Sequence, residues 1–241
     1  MITNANLLIV GNLEVFVVNK NIKNLHLSLL PPNGSIRVSV PNGTTENIIR
    51  SFVAFRSTWI KKQQQKYNDQ SRQTRREYVS GETHYFLGKP YQLEVIGNDK
   101  GNGLSIRGKK TFLLKTKTDI TIEQKERIFN DWYRKELRHV LDKLIKKWQP
   151  EIKVRPTHWR IQRMKTRWGT CNRESGRVII NLELIKKPYH CIEYVVVYEW
   201  LHLTESKHDE KFIPFLDKHL PKWKQAKEEL NRFILTHQEW N

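Results

Sequence analysis

Cysteine is scarce: 241 residues contain two, Cys171 and Cys191. Their spacing makes neither a disulfide framework nor a CxxC metal knuckle. No apolar run approaches the roughly 20 residues that a membrane-spanning helix needs. The first residues lack a basic segment followed by a long apolar stretch, so no signal peptide is expected. Gly101-x-Gly103 comes nearest to a phosphate-cradling loop, and it lacks the strand, helix and lysine context of one. No Ser-His-Asp pattern stands out. Helix-turn-helix, zinc-finger and RNA-recognition signatures are missing too, which excludes a module built to read base sequence. Acidic residues are in deficit, with 25 Asp and Glu against 43 Lys and Arg and a formal net charge of +18.

What is present is a folding sequence. A 38% hydrophobic share with eight Trp, nine Phe and eight Tyr is too rich for a disordered chain. The expectation is a soluble, basic globular protein of a reducing compartment, placed in the cytoplasm.

The first forty residues read as strands. Leu7–Val10 and Leu13–Val18 are β-rich runs joined by Gly11-Asn12. Ile36, Val38 and Val40 alternate with polar residues, as in a half-buried strand. Pro41-Asn42-Gly43 breaks the sheet, and Thr44 or Thr45 caps a helix. That helix carries Ile48, Ile49, Phe52, Val53, Phe55 and Trp59 on a mostly apolar face. A polar, basic stretch follows at 61–77, with a composition that builds no core. Strands resume at His84–Leu87, Tyr91–Ile96 and Thr111–Lys115.

The period then changes. Ile128, Phe129, Trp132, Tyr133, Leu137, Val140, Leu141, Leu144, Ile145 and Trp148 fit one long amphipathic helix, ended by Pro150 and Pro156. Strands are expected at Trp159–Met164 and Arg177–Asn181, a turn at Trp168–Cys171, and a helix after Pro188. Pro214 sits in the first turn of a later helix or breaks it. No internal repeat is visible. The fold class is α+β: a β-rich N-terminal region over 1–120 and a more helical region over 121–241, within one continuous domain.

The chemistry concentrates in Tyr198-Glu199-Trp200-Leu201-His202, one residue away from H-E-x-x-H. In that pattern, positions i and i+4 share a helical face, so two imidazoles grip one Zn²⁺. The intervening Glu works as a proton shuttle. Here Glu199 and His202 are in place, Tyr198 stands at the first position, and His208 follows. By spacing alone, a buried, hydrogen-bonded histidine on an apolar helix is the commoner meaning.

The surrounding residues resemble the YgjP-like zinc metallopeptidase family, of the zincin group. Arg167-Trp168-Gly169-Thr170-Cys171 is similar to its R-W-G-S-C element, and Ile180-Asn181-Leu182 with Leu184 to its I-N-L-x-L strand. Glu193-Tyr194-Val195-Val196-Val197 resembles the lead-in to the metal helix, and His208-Asp209-x-x-Phe212 the third-ligand element. Trp59-Ile60-Lys61-Lys62 and Gly88-Lys89-Pro90-Tyr91-x-Leu93 resemble family features upstream. The resemblance implies a zincin-like C-terminal half that hydrolyses peptide bonds. It implies Zn²⁺ held by His202, His208 and the residue at 198, with Glu199 as general base. Two positions depart from the pattern: Tyr198 replaces a ligand histidine, and Trp200 replaces a smaller aliphatic.

A catalytic zinc site has three protein ligands and a water. The tyrosine leaves three arrangements open: a weak site using Tyr198, a two-histidine site completed by another residue, or no metal. His84, His139 and His158 are the histidines that could complete it. Cys171 reads as a small buried hydrophobe.

The charge is densest at 61–76, 143–147 and 160–177. In the last, Arg160, Arg163, Lys165, Arg167 and Arg173 are interleaved with Trp159 and Trp168. Such a surface holds single-stranded nucleic acid or an acidic partner by phosphate or carboxylate neutralisation and stacking. A non-catalytic binding protein is therefore the second reading, and a nucleoside triphosphate pyrophosphatase the third. The sequence specifies no oligomeric state.

Overall fold

The computed structural model describes residues 6–30, 34–69, 76–98, 100–164, 166–204 and 212–232. Lys165 and His208 therefore lie outside the described residues. The chain divides into two compact units: residues 1–75 with 236–241, and residues 76–235. No helix among the described residues is long and apolar enough to cross a membrane.

The first unit has four strands: β1 (Asn6–Val10), β2 (Leu13–Lys20), β3 (His26–Leu30) and β4 (Ser35–Pro41), in the order β1-β2-β4-β3. Gly11, at φ 62°, makes the tight β1–β2 turn that a side chain would strain. The β2–β4 pair is parallel and the outer pairs are antiparallel. Val15, Val17, Ile36, Val38 and Val40 form a core with Ile49, Val53 and Ile60. The single expected helix is two, α1 (Glu46–Phe55) and α2 (Ser57–Asp69), interrupted at Arg56. Its apolar face is narrower than expected: Ile49 and Val53 are buried, whereas Ile48, Phe55 and Trp59 are exposed. Thr45 is the N-cap residue, but its side chain makes no capping hydrogen bond. Thr44 Oγ1 instead donates to the Pro41 carbonyl.

The second unit opens with β5 (Thr83–Phe86), β6 (Lys89–Gly97), β7 (Gly103–Arg107) and β8 (Thr111–Thr116), in the order β5-β6-β8-β7. Here too the central pair is parallel and the outer pairs antiparallel. The two sheets thus share one topology, each followed by helix, although no repeat is visible in the sequence. Strand hydrogen bonding and side-chain alternation accept many residue sets, so topology recurs where sequence does not.

α3 (Ile122–Ile152) begins with a capping box: Thr121 Oγ1 accepts from Gln124 N, and Gln124 Oε1 accepts from Thr121 N. Pro150 does not end it. The helix runs through to Ile152, and Lys153, in the left-handed conformation at φ 61°, stops it. A proline in the last turn forfeits few helical bonds, and burial of Trp148 and Ile152 holds that turn in place.

A three-stranded sheet follows, β9 (His158–Gln162), β10 (Gly169–Asn172) and β11 (Arg177–Asn181), in the order β10-β11-β9. The Trp168–Cys171 segment expected as a turn is therefore mostly strand, paired antiparallel to β11 from Gly169↔Ile180 to Asn172↔Arg177. A 3₁₀ turn (Leu182–Lys186) leads to α4 (Tyr189–Leu201), α5 (Phe212–His219) and α6 (Trp223–Arg232). Pro214 lies in the first turn of α5. α4 is buried almost all round, from Cys191 through Leu201, so it is the central helix of this unit's core. Its Glu193 is held inside by Lys147 Nζ at 2.7 Å and Trp148 Nε1 at 2.9 Å. The molecule is mixed α+β, with six α-helices among the described residues.

Candidate active site

Tyr198 breaks the buried run of α4, because at this point the helix borders a cleft of about 460 Å³. Tyr198 and Glu199 come from the last turn of α4, and His202 from its C-cap. Thr166, Arg167, Trp168, Gly169, Thr170 and Cys171 line another side, and α6 adds Lys227, Leu230 and Asn231.

The rings of Tyr198 and His202 meet edge to face at 4.9 Å, as expected one turn apart on a helix. Phe212, at the start of α5, packs on both, 5.2 Å from Tyr198 and 4.8 Å from His202. Trp200 points the other way. It is fully buried, donates from Nε1 to the Val154 carbonyl at 2.7 Å, and meets Trp159 edge-on at 5.5 Å. Trp200 is thus core, and Trp159 packs against that core half-buried.

Glu199 is 9% exposed, and burial raises its carboxyl to about 7, against the pull of Arg167. A carboxyl held there exchanges its proton near neutral pH. Burial, helped by the charge of Glu199, also raises the Tyr198 hydroxyl above the ordinary tyrosine range. The Cys171 thiol is raised to about 11 by burial and by Glu199, with Arg173 opposing. It is therefore a protonated wall residue rather than a nucleophile.

The loop that carries Arg167 and Trp168 hangs on Asn181, which is completely buried. Asn181 Nδ2 donates to the carbonyls of Met164 (2.9 Å) and Arg167 (2.7 Å). Its Oδ1 accepts from Met164 N and Glu183 N. One side chain thus ties the end of β11 to the approach of β10.

Of the residues singled out in the sequence, Arg167, Trp168, Tyr198, Glu199 and His202 line the cleft; Arg160, Arg163 and Arg173 do not. Arg160 is exposed on β9. Arg163 turns inward, bonded to Glu126 at 2.7 Å and 3.4 Å from Glu183. Arg173 lies in the exposed β10–β11 connection. His84 is buried in the second unit's aromatic core, stacked on Phe129 at 4.4 Å. His139 and His158 are exposed, and neither they nor His84 line the cleft. The sequence gives the α6 residues no role, and it marks Asn181 only as part of the Ile180-Asn181-Leu182 likeness, not as a hub. No local signal marks α6 as a cleft wall, whereas Asn181, a polar residue between apolar neighbours, carried a visible cue.

A family model for the YgjP-like metallopeptidase domain matches residues 24–233. Among solved structures, the chain is similar to the metallopeptidase zymogen abylysin of Pyrococcus abyssi. The two share 20% identity over 38% of this chain and 90% of the other, with a TM-score of 0.35. No curated protein matches.

Proposed function

Since this chain belongs to the YgjP-like metallopeptidase family, whose members imply a metal cofactor, we propose that it is a zinc-dependent peptidase with Glu199 as general base and weakened metal binding through Tyr198. The observation that carries the reading is the shared wall of the cleft, where Glu199 and His202 stand one turn apart beside Tyr198.

The donors around the cleft suit the metal. Imidazole is an ordinary zinc ligand, and a phenol oxygen ligates once its proton is lost. His202 and Tyr198 would hold it, with His208 as the third ligand. A divalent ion there supplies Lewis acidity toward the scissile carbonyl and lowers the pKa of water. Glu199 takes a proton from the attacking water as its oxygen bonds to the carbonyl carbon, then delivers that proton to the amide nitrogen as the C–N bond breaks. Tyr198 limits the site: its hydroxyl proton must be displaced before the oxygen can ligate as phenolate.

The substrate enters as an extended chain. Among the described residues β10 is an edge strand, and Gly169, Thr170 and Cys171 line the cleft, so its outer edge offers main-chain pairing to a peptide. Arg167 and Lys227 favour acidic side chains in that peptide. The same two cations with Trp168 support a second reading, in which the cleft retains an acidic partner without cleaving it.

Hydrolysis of a labelled, denatured protein by zinc-loaded enzyme, compared with Glu199→Gln, is the test. The expected loss is about 10²-fold or more. Equal hydrolysis by the two proteins would remove Glu199 from the role of base, and saturable binding of an acidic peptide without cleavage in either would turn the assignment to the second reading.

A further inference from the structure

Ligand-type side chains also gather at the opposite end of α4. His190, Cys191 and, from α6, Glu229 each offer one ligand atom, and the three atoms lie within 4.8 Å of one another. His190 Nε2 and Glu229 Oε2 are 2.9 Å apart. The Cys191 thiol donates to the Ala226 carbonyl on the same helix as Glu229, at 3.9 Å. Cys191 is fully buried, Glu229 half-buried and His190 exposed, so the sulfur forms the inner end of a cluster whose other members reach solvent. From this convergence we infer a second metal site, for a divalent ion of the zinc class, held by His190 Nε2, Cys191 Sγ and a Glu229 carboxylate oxygen, with water in the fourth position.

The donor set selects the ion. Thiolate with imidazole and carboxylate suits zinc or cobalt, whereas magnesium and calcium take oxygen donors. Bonds of about 2.0–2.3 Å to a tetrahedral ion place ligand atoms roughly 3.3–3.6 Å apart, so the widest pair must contract by about 1 Å and the His190–Glu229 pair must open slightly. Binding is balanced in protons: the thiol releases one to solvent and the sulfur ligates as thiolate, while the imidazole binds as the neutral ring.

The site is separate from the cleft. Glu199 is eight positions on from Cys191, which is about 12 Å along the helix axis. It joins α4 to α6, and α6 carries Lys227, Leu230 and Asn231 into the cleft wall. A metal here clasps that wall structurally, whether or not the chain cleaves peptides.

The test is cobalt titration of the full, chelator-stripped chain. The expected signature is a thiolate-to-cobalt charge-transfer band in the near ultraviolet, together with the visible bands of a tetrahedral ion. The chain has two cysteines, so their variants assign the sulfur. Cys191→Ser removes the band, whereas Cys171→Ser and His202→Ala keep it. His190→Ala, at an exposed side chain, weakens cobalt binding at least about tenfold without touching the core. It decides the matter should Cys191→Ser fail to fold. Absence of a thiolate band, its retention in Cys191→Ser or its loss in Cys171→Ser would overturn the assignment, as would unchanged cobalt affinity in His190→Ala.

Discussion

Gly169 and Glu199 meet so closely that no side chain fits between them: a Cβ on Gly169 would lie 2.5 Å from Glu199 Cγ and 2.9 Å from its Oε1. The first residue of β10 therefore seats the carboxylate of α4. Gly169→Ala is expected to cost about 1–3 kcal/mol by overpacking and to displace Glu199. Combining it with Glu199→Ala removes the clash. A double-mutant cycle by urea denaturation should then show strong coupling, with the glycine substitution nearly neutral in the Glu199→Ala background. Additive losses would mean that the two residues do not constrain each other.

Tyr198→His supplies a neutral imidazole where the phenol must first lose a proton. Zinc affinity, measured by competition with a chromophoric chelator, is expected to rise at least about tenfold. Unchanged affinity would remove position 198 from the ligand set.

Asn181→Ala strips four hydrogen bonds from a buried site and leaves the Met164 and Arg167 carbonyls without the donor that holds them. Each buried group left unpaired costs about 1–3 kcal/mol. The melting temperature should fall by several degrees. Trp168 fluorescence should also change, because the released loop carries it; comparison with a Trp168→Phe control isolates that signal.

His84 is buried, and burial, aided by Arg76, lowers its pKa from 6.5 to about 4, while Glu82 at 3.5 Å opposes. Between those values the unfolded chain binds the proton and the folded chain does not. Stability from this group is therefore complete above about pH 6.5 and falls as pH drops toward 4. The slope is at most about 1.4 kcal/mol per pH unit. Chemical denaturation from pH 7 to 4.5 should show a shallower decline in His84→Gln than in the parent, and parallel curves would contradict the assignment.

The basic charge of the chain has acquired more than one structural meaning. Arg163 serves an internal ion-pair network with Glu126 and Glu183, and Arg160 faces solvent on β9. Arg167 alone of the described arginines expected at an anionic surface lines the cleft. Sequence density of charge could not separate these roles. Alternation along a strand and the neighbours of each side chain decide which arginine turns inward.

Local patterns carried much of the rest. The period of two at residues 36–40 and the helical period through residues 128–148 mark elements whose apolar faces must be covered, and both elements form. The spacing from Tyr198 to His202 places two rings on one helical face, because a turn takes 3.6 residues wherever the helix lies. β3 and β7 escaped notice because they are short, and their partly exposed side chains give weak alternation.

Sequence alone was sufficient for α4, for its Glu-x-x-His and for the likeness of the surrounding segments, since all of these depend on spacing along one chain. Only the tertiary structure could bring Gly169 against Glu199, turn Arg163 away from the surface, build a cleft wall from α6, and gather His190, Cys191 and Glu229. Those contacts join residues far apart in sequence, and they exist because burying the apolar faces of β10, α4 and α6 leaves few ways to pack them.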